Sequence, residues 1–152
     1  MLAGGLCDHR GMEVMSREEW REFVLAGTRT AKAGFIRADG TPLVTPVWIT
    51  LDGDEVVFTT PGGSLKHKAL LRDPRITLCV DDQEPPYSYV MITGRATLSD
   101  DLTEVRKWAE VLGGRYMGAD RAGEYGARNG IPGEYLVRVT PLNIIARRGI
   151  AG

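Results

Sequence analysis

The sequence predicts a mainly β domain, a small antiparallel barrel with short helices at its ends. Three observations predict it. Five or six β-branched runs follow one another, separated mostly by short polar turns. Two of those turns, Asp39-Gly40 and Asp52-Gly53, are hairpin signals. Helical periodicity shows in only a few places, so the strand–helix alternation of a doubly wound sheet is missing.

The elements follow in order. Residues 1–15 are glycine-rich and unpatterned, and they read as a flexible leader. Ser16 to Ala26 (SREEWREFVLA) opens with Ser16 and Glu19, a capping-box pair, and carries Trp20, Phe23 and Val24 at helical spacing. Thr30–Arg37 is a first strand, and Thr41–Leu51 a second whose two prolines imply an edge or a bulge. Glu55–Thr60 is a third. A helix starting at Ser64 ends before Asp73-Pro74, and Arg75–Val80 and the long Tyr87–Leu98 are the next strands. Asp100–Tyr116 is helical, with Leu102, Val105, Trp108, Ala109 and Leu112 on one stripe. Gly118–Gly133 reads as a glycine-rich connector with room for one short helical piece. Glu134–Ile145 closes the domain, 16–148, and 149–152 is a tail.

Composition narrows the function. A chain of 152 residues fits one domain and can bury a core without a staple. Its net charge of −1 argues against a nucleic-acid binder, which would carry a basic excess. No apolar run approaches the ~20 residues of a membrane span, and the leader lacks a signal-peptide core. Cys7 and Cys79 show no zinc or redox spacing, so free thiols and a cytoplasmic location are expected. No His, Cys or carboxylate set stands at ligand spacing, so no metal site is expected.

One stretch is chemically odd. In Thr59–Arg75 (TTPGGSLKHKALLRDPR), Lys66 and Lys68 sit at or near the start of a helix capped by Ser64. Cations there oppose the helix dipole, at roughly 0.3–1 kcal/mol each when exposed. A bound phosphate would reverse that sign, because dipole, backbone N–H groups and ammonium groups would act together. Gly62 and Gly63 let backbone approach such a ligand, and Thr59, Thr60 and Ser64 offer hydroxyls. The plain alternative is a solvated helix face. His67 reads as a surface residue or a helper at the anion site; Asp81 and Asp82 read as a solvated turn. Trp20 and Trp108 read as core, and packing is also the default for Trp48, Tyr87 and Tyr89.

The order of features carries a resemblance. Pro46-Val47-Trp48 on a strand, a strand ending Thr59-Thr60, then Ser64-x-Lys66-x-Lys68 and Arg72-Asp73-Pro74-Arg75 resemble the pyridoxamine 5′-phosphate oxidase-like split-barrel flavoproteins. Among these the chain looks most like the small reductases that use the deazaflavin coenzyme F420. The resemblance covers roughly residues 16–148 and implies a six-stranded antiparallel split β-barrel of the FMN-binding type. It also implies a homodimer with two cofactors at the subunit interface. By position, Ser64, Lys66 and Lys68 match the phosphate holders, and Pro46, Val47 and Trp48 the strand along the ring system. Thr59 and Thr60 match the strand end beside the phosphate or ribityl chain. Tyr87 and Tyr89 match aromatic positions reaching the cofactor from the partner. The C-terminal Arg147-Arg148-Gly149 does not reproduce the tryptophan- and arginine-containing end of the true oxidases, which speaks against vitamin metabolism.

The implied function is an oxidoreductase passing hydride from reduced F420 to an unsaturated small molecule, with the cofactor carrying the chemistry. No catalytic dyad is then required, and none is recognisable; Tyr87, Tyr89 or solvent could supply a proton. Cations beyond the phosphate, Lys68, Arg72 or Arg75, would favour the acidic F420 tail. The alternatives are an FMN-dependent reductase or oxidase on the same fold, a non-catalytic carrier of flavin or haem, and a structural dimer without ligand.

Overall fold

The computed structural model describes residues 12–152, so Cys7 and His9 lie outside the described residues. Its strands are β1 (Glu13–Val14), β2 (Ala31–Ile36), β3 (Pro42–Val47), β4 (Thr50–Asp52), β5 (Glu55–Pro61), β6 (Arg75–Asp82), β7 (Ser88–Ser99) and β8 (Glu134–Arg148). The helices are α1 (Arg17–Leu25), α2 (Leu65–Arg72), α3 (Leu102–Met117) and α4 (Ala122–Asn129). The sheet runs β3-β2-β6-β7-β8-β5-β4, with β1 added on β8, and every pairing is antiparallel.

That order closes the barrel. β3 and β4 stand at opposite ends of the path yet are separated in the chain only by Trp48 and Ile49. The sheet must therefore curl until its ends meet. With β3 and β4 as one bent run, the seven strands of the path reduce to the six staves of a split barrel.

The sequence presents Thr41–Leu51 as one strand, and the structure breaks it at Trp48-Ile49. Pro46 has no N–H to donate. At Ile49 both backbone groups leave the ladder: its N–H donates to the Tyr116 hydroxyl at 3.1 Å, and its carbonyl accepts from the Arg115 guanidinium at 2.6 Å. Arg115 also donates to the carbonyls of Val24 (2.7 Å) and Gly27 (3.1 Å), and Tyr116 to that of Arg29 (2.7 Å). Two consecutive side chains on the last turn of α3 thus hold the break open and satisfy the carbonyls around it.

Inside the barrel, Phe35, Val56, Phe58, Leu78, Val90, Ile92, Val137 and Val139 form the centre of one buried core, which Trp20 and Val24 of α1 close at one end. β5 is apolar on both faces because Val57 points outward, under α3, into a smaller cluster with Val105, Trp108 and Leu136. The α1 capping box forms, with Glu19 N–H donating to Ser16 Oγ and the Glu19 carboxylate accepting from Ser16 N–H.

Three boundaries differ from expectation. β1 takes Glu13 and Val14 out of the segment read as leader and pairs them with Arg148 and Arg147. β6 runs on to Asp82, so Asp81 and Asp82 end a strand and pair with Lys32 (2.8 Å) and Arg29 (3.2 Å). Gly118–Gly133 is mostly helical, a 3-10 turn followed by α4, and α4 packs on α3 as an antiparallel hairpin.

Candidate functional site

β5 ends at Pro61, and the chain turns through Gly62 and Gly63 into α2. Gly63 holds φ +79°, a conformation glycine adopts without strain. Gly62 N–H donates to the Gly133 carbonyl at 2.7 Å, which pins the turn to the start of β8. A Cβ on Gly62 would stand 2.7 Å from that oxygen. Ser64 caps α2: its Oγ accepts from His67 N–H at 3.1 Å and lies 3.0 Å from the buried Thr60 Oγ1. His67, half-buried rather than on the surface, accepts the Gly63 N–H on Nδ1 at 3.0 Å, and its ring lies 4.2 Å from that of Tyr135. An accepting Nδ1 places the proton of a neutral ring on Nε2, which is buried without a partner.

The N–H groups of Leu65 and Lys66, in the first turn of α2, have no intrahelical acceptor. Lys66 reaches across to β3 and donates from Nζ to Thr45 Oγ1 at 3.2 Å. Burial pushes its ammonium below the usual lysine value, and no carboxylate offsets the shift. A desolvated cation beside free N–H groups is a site prepared for an anion.

These groups open onto a cavity of about 420 Å³. Its barrel side is Pro46, Val47, Trp48, Thr59, Thr60, Pro61 and Lys66; the hairpin side is Ala109, Leu112, Met117, Tyr125, Arg128 and Asn129; Glu134 completes the wall. Trp48 stacks on Tyr116 with centroids 5.1 Å apart and planes 6° apart, and meets Tyr125 edge-on at 5.7 Å. One side of the cavity is therefore flat and aromatic, and one end is cationic. Burial raises the Glu134 carboxyl above the ordinary glutamate value.

The structure brings together Pro46, Val47, Trp48, Thr59, Thr60 and Lys66, with Ser64 directly behind them. It places the others elsewhere. Lys68 is exposed and lines a separate groove with Arg37, Leu43 and Arg72. Arg75 is held by Asp73 at 2.6 Å. Tyr87 and Tyr89 line another cleft of about 600 Å³, with Lys32, Cys79, Asp81 and Ile150. Sequence reasoning missed the hairpin wall and Glu134. The stripe Ala109 and Leu112 was visible but reads as core, while Tyr125, Arg128 and Glu134 carry no local signal. Among the described residues no cluster of His, Cys, Asp or Glu could hold a metal ion, and no helix is long and apolar enough to cross a membrane.

An antiparallel barrel broken between β3 and β4, with short helices at its ends, is the split-barrel fold seen in oxidases of pyridoxamine 5′-phosphate. The chain belongs to that family: the family model described as pyridoxamine 5′-phosphate oxidase matches residues 16–147. Comparison with curated protein sequences returns no match. Among solved structures, a conserved hypothetical protein of Mycobacterium tuberculosis is similar with TM-score 0.77 and 23% identity, over 88% of this chain and 84% of that one. An F420 reductase is similar with TM-score 0.65 and 25% identity, over 81% and 94%. An FAD-binding protein of Mesorhizobium loti follows with TM-score 0.66 and 16% identity, over 90% and 95%.

Proposed function

We propose that the chain is an oxidoreductase that uses reduced coenzyme F420 to transfer hydride to an unsaturated small molecule. The observation that carries this reading is Lys66: a half-buried ammonium without a carboxylate partner, at a helix start, on the wall of an aromatic-sided cavity. The donor set fits a phosphate-bearing planar cofactor. Lys66 Nζ and the Leu65 and Lys66 N–H groups would take the phosphate, with Thr59 beside it, and Ser64 and the buried Thr60 keep that turn in shape. Pro46, Val47 and Trp48 would border the ring system, and Leu112, Met117 and Tyr125 would exclude water from it. When bound, the cofactor supplies the hydride, so the chain need only bind, orient and desolvate.

Arg128, which lies over the Tyr125 ring at 5.5 Å, is the second cation of the wall. It takes the place in this reading that the sequence suggested for Lys68, Arg72 and Arg75, facing the acidic F420 tail. The similarity to an F420 reductase supports this choice, and FMN on the same cavity is the alternative. We further propose a homodimer: Val44 and Leu142, each 66% exposed, put apolar surface on the outside of the sheet. Tyr87 and Tyr89 would then meet the partner. Light scattering at micromolar concentration is expected to give a dimer; a stable folded monomer contradicts it.

Parallel titrations with F420, FMN and FAD test the cofactor. The Lys66→Ala variant is expected to lose about ten- to hundred-fold in affinity, the roughly 1.5–3 kcal/mol of a charge-assisted hydrogen bond. Unchanged affinity in a folded Lys66→Ala variant removes the phosphate assignment.

A further inference from the structure

We infer that Thr45 is a positioning residue for Lys66, and that it biases the cavity toward ligands carrying a phosphate over the same ring without one. The inference rests on the proposed phosphate position at Lys66 and asks what holds that ammonium where a phosphate can meet it.

Alternation along β3 decides where Thr45 points. Pro42, Val44 and Pro46 are exposed, whereas Leu43, Thr45 and Val47 turn toward the interior. The adjoining β2 puts buried Ala31, Ala33 and Phe35 on the same side, with Ala33 the register partner of Thr45. Thr45 is thus the one polar side chain on the inner face of these two strands. Valine would suit a strand and those neighbours at least as well, so packing gives the hydroxyl no task. Its partner does: Thr45 Oγ1 accepts from Lys66 Nζ at 3.2 Å, between residues 21 apart in the chain.

The kind of acceptor matters. Among the described residues no carboxylate pairs with the ammonium, which burial alone pushes below the usual lysine value. An ammonium has three N–H donors; one goes to Thr45 and two are left for a ligand. A neutral acceptor fixes the direction of the group and leaves its charge unspent. A carboxylate in the same place would cancel that charge and repel a phosphate. Threonine is also stiff at χ1, so the acceptor itself is held. Thr45 does not line the cavity, but Val47, two residues on, lines it with Pro46 and Trp48. The hydrogen bond therefore ties the start of α2 to the strand proposed to border the ring. A ligand need not order the long lysine arm on arrival, which lowers the cost of binding. Thr45 acts through Lys66, so a ligand without a phosphate does not feel it.

The test titrates FMN and F420, each beside its phosphate-free ribityl alcohol, on wild type, Thr45→Val, Thr45→Ser and Thr45→Asp. Thr45→Val is expected to weaken both phosphate-bearing cofactors about three- to tenfold, the scale of one hydrogen bond, and to leave the alcohols level. Thr45→Ser keeps the acceptor and is expected to stay within about twofold of wild type. Thr45→Asp neutralises the ammonium and is expected to lose more than Thr45→Val. In a Lys66→Ala background, Thr45→Val is expected to change nothing further. Should Thr45→Val fail to fold, Thr45→Ala carries the same expectations. Unchanged cofactor affinity in Thr45→Val, equal losses for cofactors and alcohols, or an undiminished loss in the Lys66→Ala background overturns the role of Thr45 while the Lys66 site stands. If both cofactors fail to bind wild type, or bind no tighter than their alcohols, the phosphate reading falls and this inference with it.

Discussion

Gly63 in the turn before α2 and the glycines of the α3–α4 hairpin stand on two sides of the cavity and are needed for opposite reasons. In the Pro61–Ser64 turn, Gly63 is needed for its backbone: φ is +79°, and a Cβ would find no atom within 4 Å. In the α3–α4 hairpin, glycine is needed for closeness. A Cβ on Gly113 would overlap that of Tyr125, one on Gly126 would stand 3.0 Å from Glu110 Cβ, and one on Gly130 2.7 Å from Arg106 Cα. The first segment sets the start of α2, and with it Ser64 and Lys66, through a local turn. The second brings two helices together so that α4 can reach over Trp48. The need at Gly63 is conformational; in the hairpin, as at Gly62 against the Gly133 carbonyl, it is steric.

Substitutions separate the two roles. The largest effect is expected at Gly113→Ala. The new methyl would overlap Tyr125 Cβ, a backbone-anchored carbon, so α4 must move, at about 3 kcal/mol, the upper end of the overpacking range. Alanine's better helix propensity returns roughly 1 kcal/mol of that. Thermal denaturation should show a net loss and the titration a weaker cofactor; a variant as stable as wild type would break the steric reading.

Tyr116→Phe comes next. The stack on Trp48 survives, but the hydroxyl that accepts from Ile49 N–H and donates to the Arg29 carbonyl is gone, costing about 1–2 kcal/mol for half-buried groups left unpaired. Denaturant midpoints of Tyr116→Phe and wild type measure this directly. Equal midpoints would mean that the strand break is held by Arg115 alone.

The smallest effect is expected at Gly63. Alanine there costs about 1 kcal/mol through left-handed strain, and asparagine, which tolerates that region, recovers most of it. No such recovery is expected at Gly113. If Gly63→Asn is as damaging as Gly63→Ala, the turn is limited by space and the contrast fails.

The same contrast explains what could be read from the sequence. Ser64 capping and Lys66 in the first turn are local facts, so the motif placed them correctly at the start of α2. The hairpin turns and β-branched runs are local too, and the barrel follows from them. The break at Trp48-Ile49 was not legible beyond a proline hint, because Arg115 and Tyr116, which hold it, lie more than sixty residues away along the chain. α4 showed only as room for one short helical piece, for a different reason. Its glycines lower helix propensity, and only packing against α3 offsets that. Glu134 had no pattern at all; its place in the wall comes from pairing with Pro61. Lys68 was chosen for its place just past the first turn of α2 and the Tyr87–Tyr89 pair by position in a resemblance, and they line grooves that this chain alone does not join to the cavity.

The roof of the cavity is one uninterrupted insertion. β7 and β8 are neighbours whose register runs from Ser88↔Arg148 to Ser99↔Leu136, so a tight hairpin could have joined them. Instead α3 and α4 fill the space between their ends. The barrel strands and the start of α2 lie outside that excursion. A lineage could therefore recompose the α4 side of the hairpin, which borders the cavity through Tyr125, Arg128 and Asn129, provided that Arg115 and Tyr116 of α3 kept their hold on the strand break. One wall of the cavity is thus tied to the barrel, and the other can change with only the α3–α4 contacts to keep.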